Sequence, residues 1–287
     1  MKQQYKQLLS FTPKPFVKWA GGKRQLIPIL SKYVPKKFDS YFEPFLGGGA
    51  VMFHLITEIP QLECFISDLN SDLILSYIAI RDRVDELISA LALHSENYFK
   101  NPKEYYYEAR ESNPKNQIEK VSRLIFLNKT CFNGLYRVNR KGKFNVPLGK
   151  YTNPNIVNRE NLIAVSHILR SKDISIKCQD FTKALERVQK NDFVYLDPPY
   201  QPVSQTSNFT SYTNDSFGYE DQERLFLEFQ RLDSKGCKVM LSNSKSGEVL
   251  DLFEDYSDKT IEISANRFIN SDSKNRTGHS ELLIKNY

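Results

Sequence analysis

Several residue patterns are missing from this sequence, and each absence argues against a class of site. Only four cysteines occur among 287 residues and no two form a CxxC pair, so neither a disulfide framework nor a zinc site is predicted. The four histidines are equally dispersed and no HExxH motif occurs, which argues against a bound metal. This sparse use of cysteine favours a reducing compartment such as the cytoplasm.

Long apolar runs are missing as well. The first residues lack the apolar core and the small-residue cleavage site of a signal peptide. No stretch approaches the ~18 consecutive apolar residues that cross a bilayer. The sequence therefore predicts a cytoplasmic protein without membrane association. No internal repeat or low-complexity linker is visible. At 287 residues, the chain is long enough for one large domain or two smaller ones.

What remains is a composition suited to a folded core. Hydrophobic residues make up 40% of the chain, which is typical of globular proteins. The formal net charge is +6 and the isoelectric point is about 8.9, a mild basic excess. Such a balance is compatible with a polyanionic partner, although many soluble proteins share it.

Short apolar runs alternate with helical patterns over much of the chain, and this alternation predicts an α/β fold with a doubly wound, Rossmann-like parallel sheet. The two last strands have no helix between them, so we expect an antiparallel edge hairpin. Strands are predicted at Tyr41–Phe45, Cys64–Asp68, Ile174–Cys178, Phe193–Leu196, Lys238–Ser242, Thr260–Ile263 and Glu281–Lys285. Helices are predicted at Ala50–Ile59, Val84–Leu93, Ile118–Leu127, Asn158–Leu169 and Glu220–Leu232.

The stretch from residue 81 to residue 155 breaks this alternation. It contains no clear parallel strand and is rich in Tyr, Asn, Lys and Arg. Its basic segment NGLYRVNRKGKFNVPLGKY predicts a hairpin whose tip lies at Arg140–Lys143, with Gly142 supplying the unusual backbone angles. We therefore predict a helical and β-hairpin insert at 81–155 that recognises a partner, within a discontinuous catalytic domain of residues 1–80 and 156–287. A helical cap over the sheet is the alternative.

A glycine-rich turn follows the first predicted strand. In FEPFLGGGAVMF, Gly47, Gly48 and Gly49 let the backbone approach a ligand, and Asp68 ends the next strand where an acid can accept ribose hydroxyls. The dinucleotide fingerprint G-x-G-x-x-G fails, because its third glycine position is Met52. The pattern therefore favours an adenosine-containing ligand other than a dinucleotide.

Two further segments could line a ligand site. In FVKWAGGKRQL, Trp19 and Lys23 flank a glycine pair, but Val17 and Arg24 occupy positions that a P-loop would need as Gly and Ser or Thr. Trp19 could equally be a core aromatic. Asp180 and Phe181 close the third predicted strand, where they could bracket an adenine or simply form a strand-end turn.

The segment DPPY, residues 197–200, ends a strand that reads as buried. Prolines cannot donate to a strand ladder, so they mark the strand's end. An acid there points into the crevice where open α/β sheets bind ligands. A surface turn that happens to contain two prolines is the alternative interpretation.

Taken in order, FVKWAGGK, FEPFLGGGA, ISDLN, NGLYRVN, FNVPLGKY and DPPY resemble the motifs of the Dam-like DNA adenine-N6 methyltransferases. The resemblance covers nearly the whole chain and is greatest to the GATC-specific enzymes of DpnII-type restriction–modification systems. It implies S-adenosylmethionine as methyl donor, S-adenosylhomocysteine as product and a flipped adenine as acceptor, without a metal. It also implies double-stranded DNA as partner, bound by a protein for which a monomer suffices.

The same resemblance assigns the catalytic and cofactor residues. Asp197 and the Pro198 carbonyl are expected to accept the two N–H bonds of the adenine amine, while Pro199 keeps the turn rigid and Tyr200 stacks on the extruded base. The methyl-donor pocket is expected to use Trp19, Lys23, Gly47, Gly48, Gly49, Asp68, Asp180 and Phe181.

The DNA-reading residues are assigned in the same way. Arg137 is expected to read a guanine bidentately, a contact that discriminates by roughly 1–3 kcal/mol. A phosphate contact is the alternative for Arg137, because most protein–DNA hydrogen bonds go to the backbone. The full set is Lys18, Phe132, Asn133, Leu135, Arg137, Asn139 and Pro147. Phe132 replaces a tyrosine of Dam itself, which preserves stacking and loses the hydroxyl.

Some features stay open at this point. The polar stretch after DPPY is expected to order over DNA, with Asn208 to Tyr212 near the base. A cognate restriction endonuclease could accompany the protein without a stable complex. The alternatives are an RNA or protein-glutamine N-methyltransferase and a catalytically silent DNA-binding module on the same fold.

Overall fold

The structure of the protein is a computed structural model that describes residues 12–139, 141–171, 173–200, 217–265 and 279–287. The chain forms two compact units. The helical unit comprises the described residues of Met1–Gly22, Gly47–Gln61 and Asn70–Ile176, and the sheet unit those of Lys23–Leu46, Leu62–Leu69 and Lys177–Tyr287. The insert predicted at 81–155 does not follow this division, and it stays a prediction.

The strands are β1 (Tyr41–Glu43), β2 (Cys64–Asp68), β3 (Ile174–Cys178), β4 (Phe193–Leu196), β5 (Lys238–Ser244), β6 (Ile261–Ala265) and β7 (His279–Lys285). They form a seven-stranded sheet in the order β3-β2-β1-β4-β5-β7-β6. β1 pairs in parallel with β2 and β4, and β4 pairs in parallel with β5. β7 runs antiparallel to both β5 and β6. The predicted Rossmann-like sheet with an antiparallel edge is therefore confirmed.

The α-helices are α1 (Ile27–Leu30), α2 (Ala50–Glu58), α3 (Ser71–Lys100), α4 (Pro102–Glu111), α5 (Gln117–Thr130), α6 (Arg159–Ser171), α7 (Phe181–Leu185), α8 (Tyr219–Ser234) and α9 (Gly247–Leu252). Single 3₁₀ segments lie at Lys23–Gln25, Phe132–Gly134 and Glu254–Lys259. The helix predicted at Val84–Leu93 is part of the much longer α3, whose backbone kinks at Arg83.

The order of the strands fixes where a ligand can bind in the sheet unit. The chain leaves β1 toward β2 on one side and later enters β4 on the other, so the strand order reverses at β1. Open α/β sheets bind ligands beyond the carboxyl ends of their strands at such a point. Tyr41 lies opposite Phe193 and Phe42 opposite Val194, so the turns that follow β1 and β4 meet at one edge. Pro44 and Phe45 begin the turn after β1, and DPPY forms the turn after β4.

A buried apolar core holds these strand ends in place. All four residues of β4 are buried, and α8 covers the sheet with Leu225, Phe229 and Leu232. Each fully buried side chain of this size contributes about 1.5–3 kcal/mol to folding. β1 stops at Glu43, two residues earlier than predicted, because Pro44 has no N–H to continue the ladder.

Candidate active site and nucleic-acid interface

Asp197 lies directly after β4, in the turn that DPPY forms. Its carboxylate Oδ1 is 2.8 Å from the Lys23 ammonium, and only 17% of the Asp197 side chain is exposed. Lys23 itself is 4% exposed. The predicted role of Lys23 in cofactor binding stays a prediction, and the contact that the structure adds is this buried ion pair with the DPPY acid.

Glu281 joins the same group from β7, and sequence reasoning missed it. Its Oε2 is 3.7 Å from Lys23 Nζ and accepts a hydrogen bond from the Tyr200 hydroxyl at 3.1 Å. Lys23 Nζ also lies 4.8 Å from the centre of the Tyr200 ring. Lys23, Asp197, Tyr200 and Glu281 thus form one connected group, called here the acid cluster. An acid opening the apolar run ELLIK was the signal available in the sequence.

Burial controls the protonation of this cluster. Desolvation is the largest influence on the Asp197 carboxyl and raises its pKa. The positive charge of Lys23 lowers this pKa and the negative charge of Glu281 raises it, and the resulting pKa is about 6. Desolvation and the two carboxylates also hold the pKa of Tyr200 well above its usual value. Above about pH 6, therefore, Asp197 is an ionised hydrogen-bond acceptor beside a neutral phenol.

The two prolines behave differently. Pro198 is buried and Pro199 is exposed. Neither has an N–H, so the turn after Asp197 presents carbonyl acceptors without competing donors. The structure describes residues up to Tyr200 and again from Phe217. The prediction that Asn208 to Tyr212 lie near the target base therefore falls outside the described residues.

The remaining cofactor candidates of the sheet unit lie at two strand ends. Asp68 ends β2 and is partly buried. Asp180 caps α7: its Oδ1 accepts hydrogen bonds from Thr182 N, Thr182 Oγ1 and Arg224 Nη2, at 3.0, 2.6 and 2.9 Å. These donors keep the pKa of Asp180 below its usual value although burial opposes them. Phe181 is 4% exposed and belongs to the apolar core.

An aromatic and cationic layer surrounds Phe181. The Phe45 ring lies 5.2 Å from it, centre to centre, and the Arg224 guanidinium lies 4.8 Å from its centre. Phe217 packs against both phenylalanines at 5.8 and 6.1 Å. The strand ends of the sheet unit thus combine a cluster of three tilted phenylalanine rings with the carboxylates of Asp68 and Asp180.

In the helical unit, the glycine turn packs against Trp19. Gly47 and Gly49 have positive φ angles of 49° and 69°, and a Cβ built on Gly47 would lie 3.0 Å from Trp19 Cδ1. A side chain there would be strained by the backbone angle and crowded by the Trp19 ring, so both conformation and space favour glycine at Gly47. Trp19 is partly buried and its ring stacks on Tyr136 at 5.2 Å between centres.

The predicted DNA-reading residues converge in the helical unit. Residues 131–148, called here the recognition hairpin, are joined by antiparallel bridges between Cys131 and Leu148 and between Val138 and Phe144. Gly142 has a φ of 72° near the tip, as predicted, while Arg140 lies outside the described residues. The hairpin carries Phe132, Asn133, Leu135, Arg137, Asn139 and Pro147, and each of them is at least partly exposed.

Arg137 is held in place by Asn145, a residue that sequence reasoning left unassigned. Its Nε donates to Asn145 Oδ1 at 2.7 Å and its Nη2 donates to the Asn145 carbonyl at 3.2 Å. A guanidinium has five N–H donors, so Nη1 and the second Nη2 hydrogen are left for another acceptor. The clamp fixes the plane of the guanidinium without using all of its donors.

Lys18 lies against the base of the recognition hairpin. Asn128 accepts a hydrogen bond from Lys18 N at 2.8 Å and donates to the carbonyls of Lys18 and Gly134 at 2.8 and 2.9 Å. The exposed Lys18 ammonium donates to the Tyr151 hydroxyl at 3.0 Å. Gly134 has a φ of 66°, and a Cβ on it would collide with the Lys18 side chain. Asn128 was not predicted; an amide directly after the apolar run Leu124–Leu127 was the signal available in the sequence.

The described residues contain neither a metal-binding group nor a membrane-spanning helix. Across the ranges that the structure covers, no group of three or more His, Cys, Asp or Glu side chains is placed to hold a metal ion. Within the same ranges, no helix is both long enough and apolar enough to span a bilayer.

Comparison with known proteins adds a family match. A family model described as D12 class N6 adenine-specific DNA methyltransferase matches residues 19–269. This range includes the recognition hairpin and the DPPY turn.

Full-length relatives agree with that match. A protein named Type II methyltransferase M1.LlaDCHI, from Lactococcus lactis subsp. cremoris, is 45% identical over 280 residues, covering 96% of this chain and 95% of the relative. Type II methyltransferase M.MjaIII, from Methanocaldococcus jannaschii, is 43% identical over 290 residues, covering 96% and 99%. A DNA adenine methylase from Salmonella typhi is 31% identical over 276 residues, covering 94% of each chain.

Proposed function

The chain belongs to the D12 class of N6 adenine-specific DNA methyltransferases, and on that premise we propose that it methylates the adenine of GATC in double-stranded DNA, with S-adenosylmethionine as donor and the target base flipped out of the helix. One observation carries the catalytic part of the proposal. An ionised, partly buried Asp197 follows β4 at the edge where the strand order reverses.

The residues of the sheet unit suit an adenosine-containing donor. Asp68 at the end of β2 can accept ribose hydroxyls. Asp180 Oδ1 is engaged by three donors, which leaves Oδ2 to accept from an exocyclic amine. Phe45 and Phe217 offer apolar faces beside it.

The helical unit fits the same class of ligand by itself. At Gly47 a Cβ would lie 3.0 Å from Trp19 Cδ1 and φ is 49°, so the glycine keeps this turn beside Trp19 without a side chain of its own. When bound, S-adenosylmethionine supplies an electrophilic methyl group on a sulfonium. We propose that the full predicted set holds it: Trp19, Lys23, Gly47, Gly48, Gly49, Asp68, Asp180 and Phe181.

Catalysis on this proposal consists of two hydrogen bonds to the adenine amine. The lone pair of that nitrogen is delocalised into the ring, which makes it a poor nucleophile. The Asp197 carboxylate and the Pro198 carbonyl accept its two N–H bonds, and the nitrogen becomes tetrahedral with an available lone pair. Lys23 fixes one carboxylate oxygen at 2.8 Å, which orients Asp197 in advance.

Tyr200 serves the extruded base. Its hydroxyl is tied to Glu281 and Lys23 lies over one face of its ring, so the opposite face is the one we assign to base stacking. Such stacking contributes roughly 1–3 kcal/mol. It offsets part of the few kcal/mol that unpairing and unstacking a base costs.

Sequence reading is assigned to the helical unit. Arg137, oriented by Asn145, contacts guanine O6 and N7, while Lys18 contacts the outer guanine. Phe132 and Asn133 wedge the duplex and hold the orphaned partner base, and Leu135, Asn139 and Pro147 complete the surface. The type II names of two relatives support a role in protecting DNA from a cognate endonuclease. A monomer suffices for one extruded base.

The test combines labelled methyl donor with several acceptors. Purified protein should label a GATC duplex and not duplexes in which one base of the tetranucleotide is changed. Plasmid treated with the protein should resist a nuclease blocked by GATC methylation and become sensitive to one that requires it. Label confined to RNA or protein, or equal label on all duplexes, would contradict the proposal.

A further inference from the structure

Glu281 is a buried carboxylate for which no other role has been assigned. It is the third residue of strand β7, directly before the apolar run LLI, lies opposite Ser244 of β5 and Ile263 of β6, and is 7% exposed. Burying a carboxylate costs several kcal/mol unless partners compensate it. Apolar packing alone would be served better by an aliphatic residue at this position, so the partners of Glu281 must explain it.

The partners of Glu281 are Tyr200 and Lys23, two residues of the proposed active site. The Tyr200 hydroxyl donates to Glu281 Oε2 at 3.1 Å, and Lys23 Nζ lies 3.7 Å from the same oxygen. Lys23 Nζ is also 2.8 Å from Asp197 Oδ1. The Lys23 ammonium thus lies between the carboxylates of Asp197 and Glu281. Glu281 also accepts the hydrogen bond of the Tyr200 hydroxyl, and the Tyr200 ring lies beneath the same ammonium.

We propose that Glu281 is a positioning residue for methyl transfer, which shares Lys23 with Asp197 and fixes the Tyr200 hydroxyl so that acid and ring keep a set geometry. This inference rests on the proposed function. Without the second carboxylate, Lys23 would pair with Asp197 alone and compete with the adenine amine for its oxygens. Without the acceptor, the Tyr200 ring would lose the hydrogen bond that fixes its plane.

The electrostatic surroundings define a measurable consequence. Charged and titratable groups facing Asp197 are Lys23, Glu281, Tyr200 and Tyr195, and Glu43 lies further along at the end of β1. Tyr195 is occupied by a hydrogen bond with Ser242 Oγ at 2.8 Å. The negative charge of Glu281 raises the pKa of Asp197, so its removal moves the ionisation of Asp197 to lower pH.

The experiment compares Glu281→Gln with a matched control, Glu262→Gln. Glu262 lies on the neighbouring strand β6, is exposed, and pairs with Lys245 at 2.7 Å. Both substitutions remove one negative charge from the same sheet edge. Single-turnover methylation of a GATC duplex at saturating donor and DNA should fall about 10- to 100-fold in Glu281→Gln, because misplaced catalytic groups cost rates of this order. Duplex affinity should not change, and Glu262→Gln should match the wild-type protein.

The pH profile separates a positioning role from a merely structural one. The acid limb of the rate, near pH 6 in the wild-type protein, should move to lower pH in Glu281→Gln. Carboxyl-carbon NMR of labelled aspartate, with the Asp197 signal identified by Asp197→Asn, should show the same displacement without any turnover. Glu281→Asp, which keeps the charge, should return the acid limb to its wild-type position. A wild-type rate and acid limb in Glu281→Gln would overturn the proposal.

Two further controls make every outcome informative. If Glu281→Gln does not fold, Tyr200→Phe removes the hydroxyl that Glu281 holds but keeps the ring, and a wild-type rate in that variant overturns the proposal. The wild-type arm tests the proposed function separately. No transfer to DNA by the wild-type protein would defeat that function, whereas normal transfer with an indifferent Glu281→Gln would defeat only the positioning role.

Discussion

In the sheet unit the charged groups of the candidate site are buried and bonded to one another, whereas in the helical unit they lie at the surface of a short hairpin. Lys23 is 4% exposed and is shared by two carboxylates. Lys18, by contrast, is exposed, and its ammonium contacts the hydroxyl and the ring of Tyr151. Proton acceptors work best at fixed positions with little water, and phosphate or base readers must reach a partner that arrives from solvent.

The two regions are also held by different forces. The acid cluster sits on β4 and β7, whose neighbours in the sheet fix it by ladder hydrogen bonds and apolar burial. The recognition hairpin is joined by two isolated bridges and by backbone hydrogen bonds such as that from Phe132 N to the Pro147 carbonyl at 2.8 Å. Two side-chain amides add to these: Asn128 ties its base and Asn145 clamps Arg137. A substitution in one region should therefore impair catalysis, and one in the other should impair recognition.

The largest effect is expected for Asp197→Ala, which should impair catalysis and leave DNA binding intact. Asp197→Ala removes the ionised acceptor at the end of β4, and the rate of methyl transfer should fall about 10²- to 10⁴-fold, as for other positioned proton acceptors. Duplex affinity, measured by fluorescence anisotropy at fixed salt, should stay within about twofold because the hairpin is untouched. Loss of DNA binding together with activity would show that the regions are not separable in this way.

A smaller effect is expected when base recognition by Arg137 is removed. Arg137→Ala should lower discrimination at one base pair of the site by about 10- to 100-fold, which corresponds to roughly 1–3 kcal/mol for a bidentate contact. Competition between GATC and singly substituted duplexes measures it, with Lys141→Ala in the same hairpin as a control for charge. An equal loss of affinity for every duplex would instead make Arg137 a phosphate contact.

The smallest effect tests the backbone of the hairpin. Gly134→Ala places a Cβ at a φ of 66° and against Lys18, so strain of about 1 kcal/mol or more should lower Tm and weaken duplex binding several-fold. The matched control is Gly236→Ala in the sheet unit, at a φ of 80°, where the new Cβ meets only the flexible Lys190 side chain. If both variants lose Tm but only Gly134→Ala binds the duplex more weakly, recognition is confined to the hairpin. If both variants lose the same binding affinity, the distinction between the two regions is contradicted.

The sequence was most informative where local patterns decide the structure. β2, β3 and β4 begin and end where the short apolar runs predicted them. The run in β4 is apolar throughout because this strand is buried on both faces, whereas the edge strand β3 is buried only at its first residue. The first part of α3 was missed, since SDLILSYIAI is apolar on most faces and shows no clear period. α4 was missed because three consecutive tyrosines in PKEYYYEARE favour a strand by propensity.

Contacts between distant positions could not be predicted. Asp197 and Tyr200 were assigned from the motif that contains them, but the link from Tyr200 to Glu281 depends on β7 lying beside β5. The clamp of Arg137 by Asn145 depends on the hairpin register, and the stacking of Trp19 on Tyr136 depends on where the hairpin base packs. No spacing rule in the sequence encodes these pairings.

The position of β7 has a consequence for when the protein becomes competent. The strand that supplies Glu281 is the seventh in the chain but lies between β5 and β6 in the sheet, so β6 has no neighbour in the described sheet until β7 inserts. Pairings between segments so distant in sequence form late and slowly. Before β7 has been synthesised and has inserted, the acid cluster lacks Glu281, so its geometry is complete only once this pairing has formed.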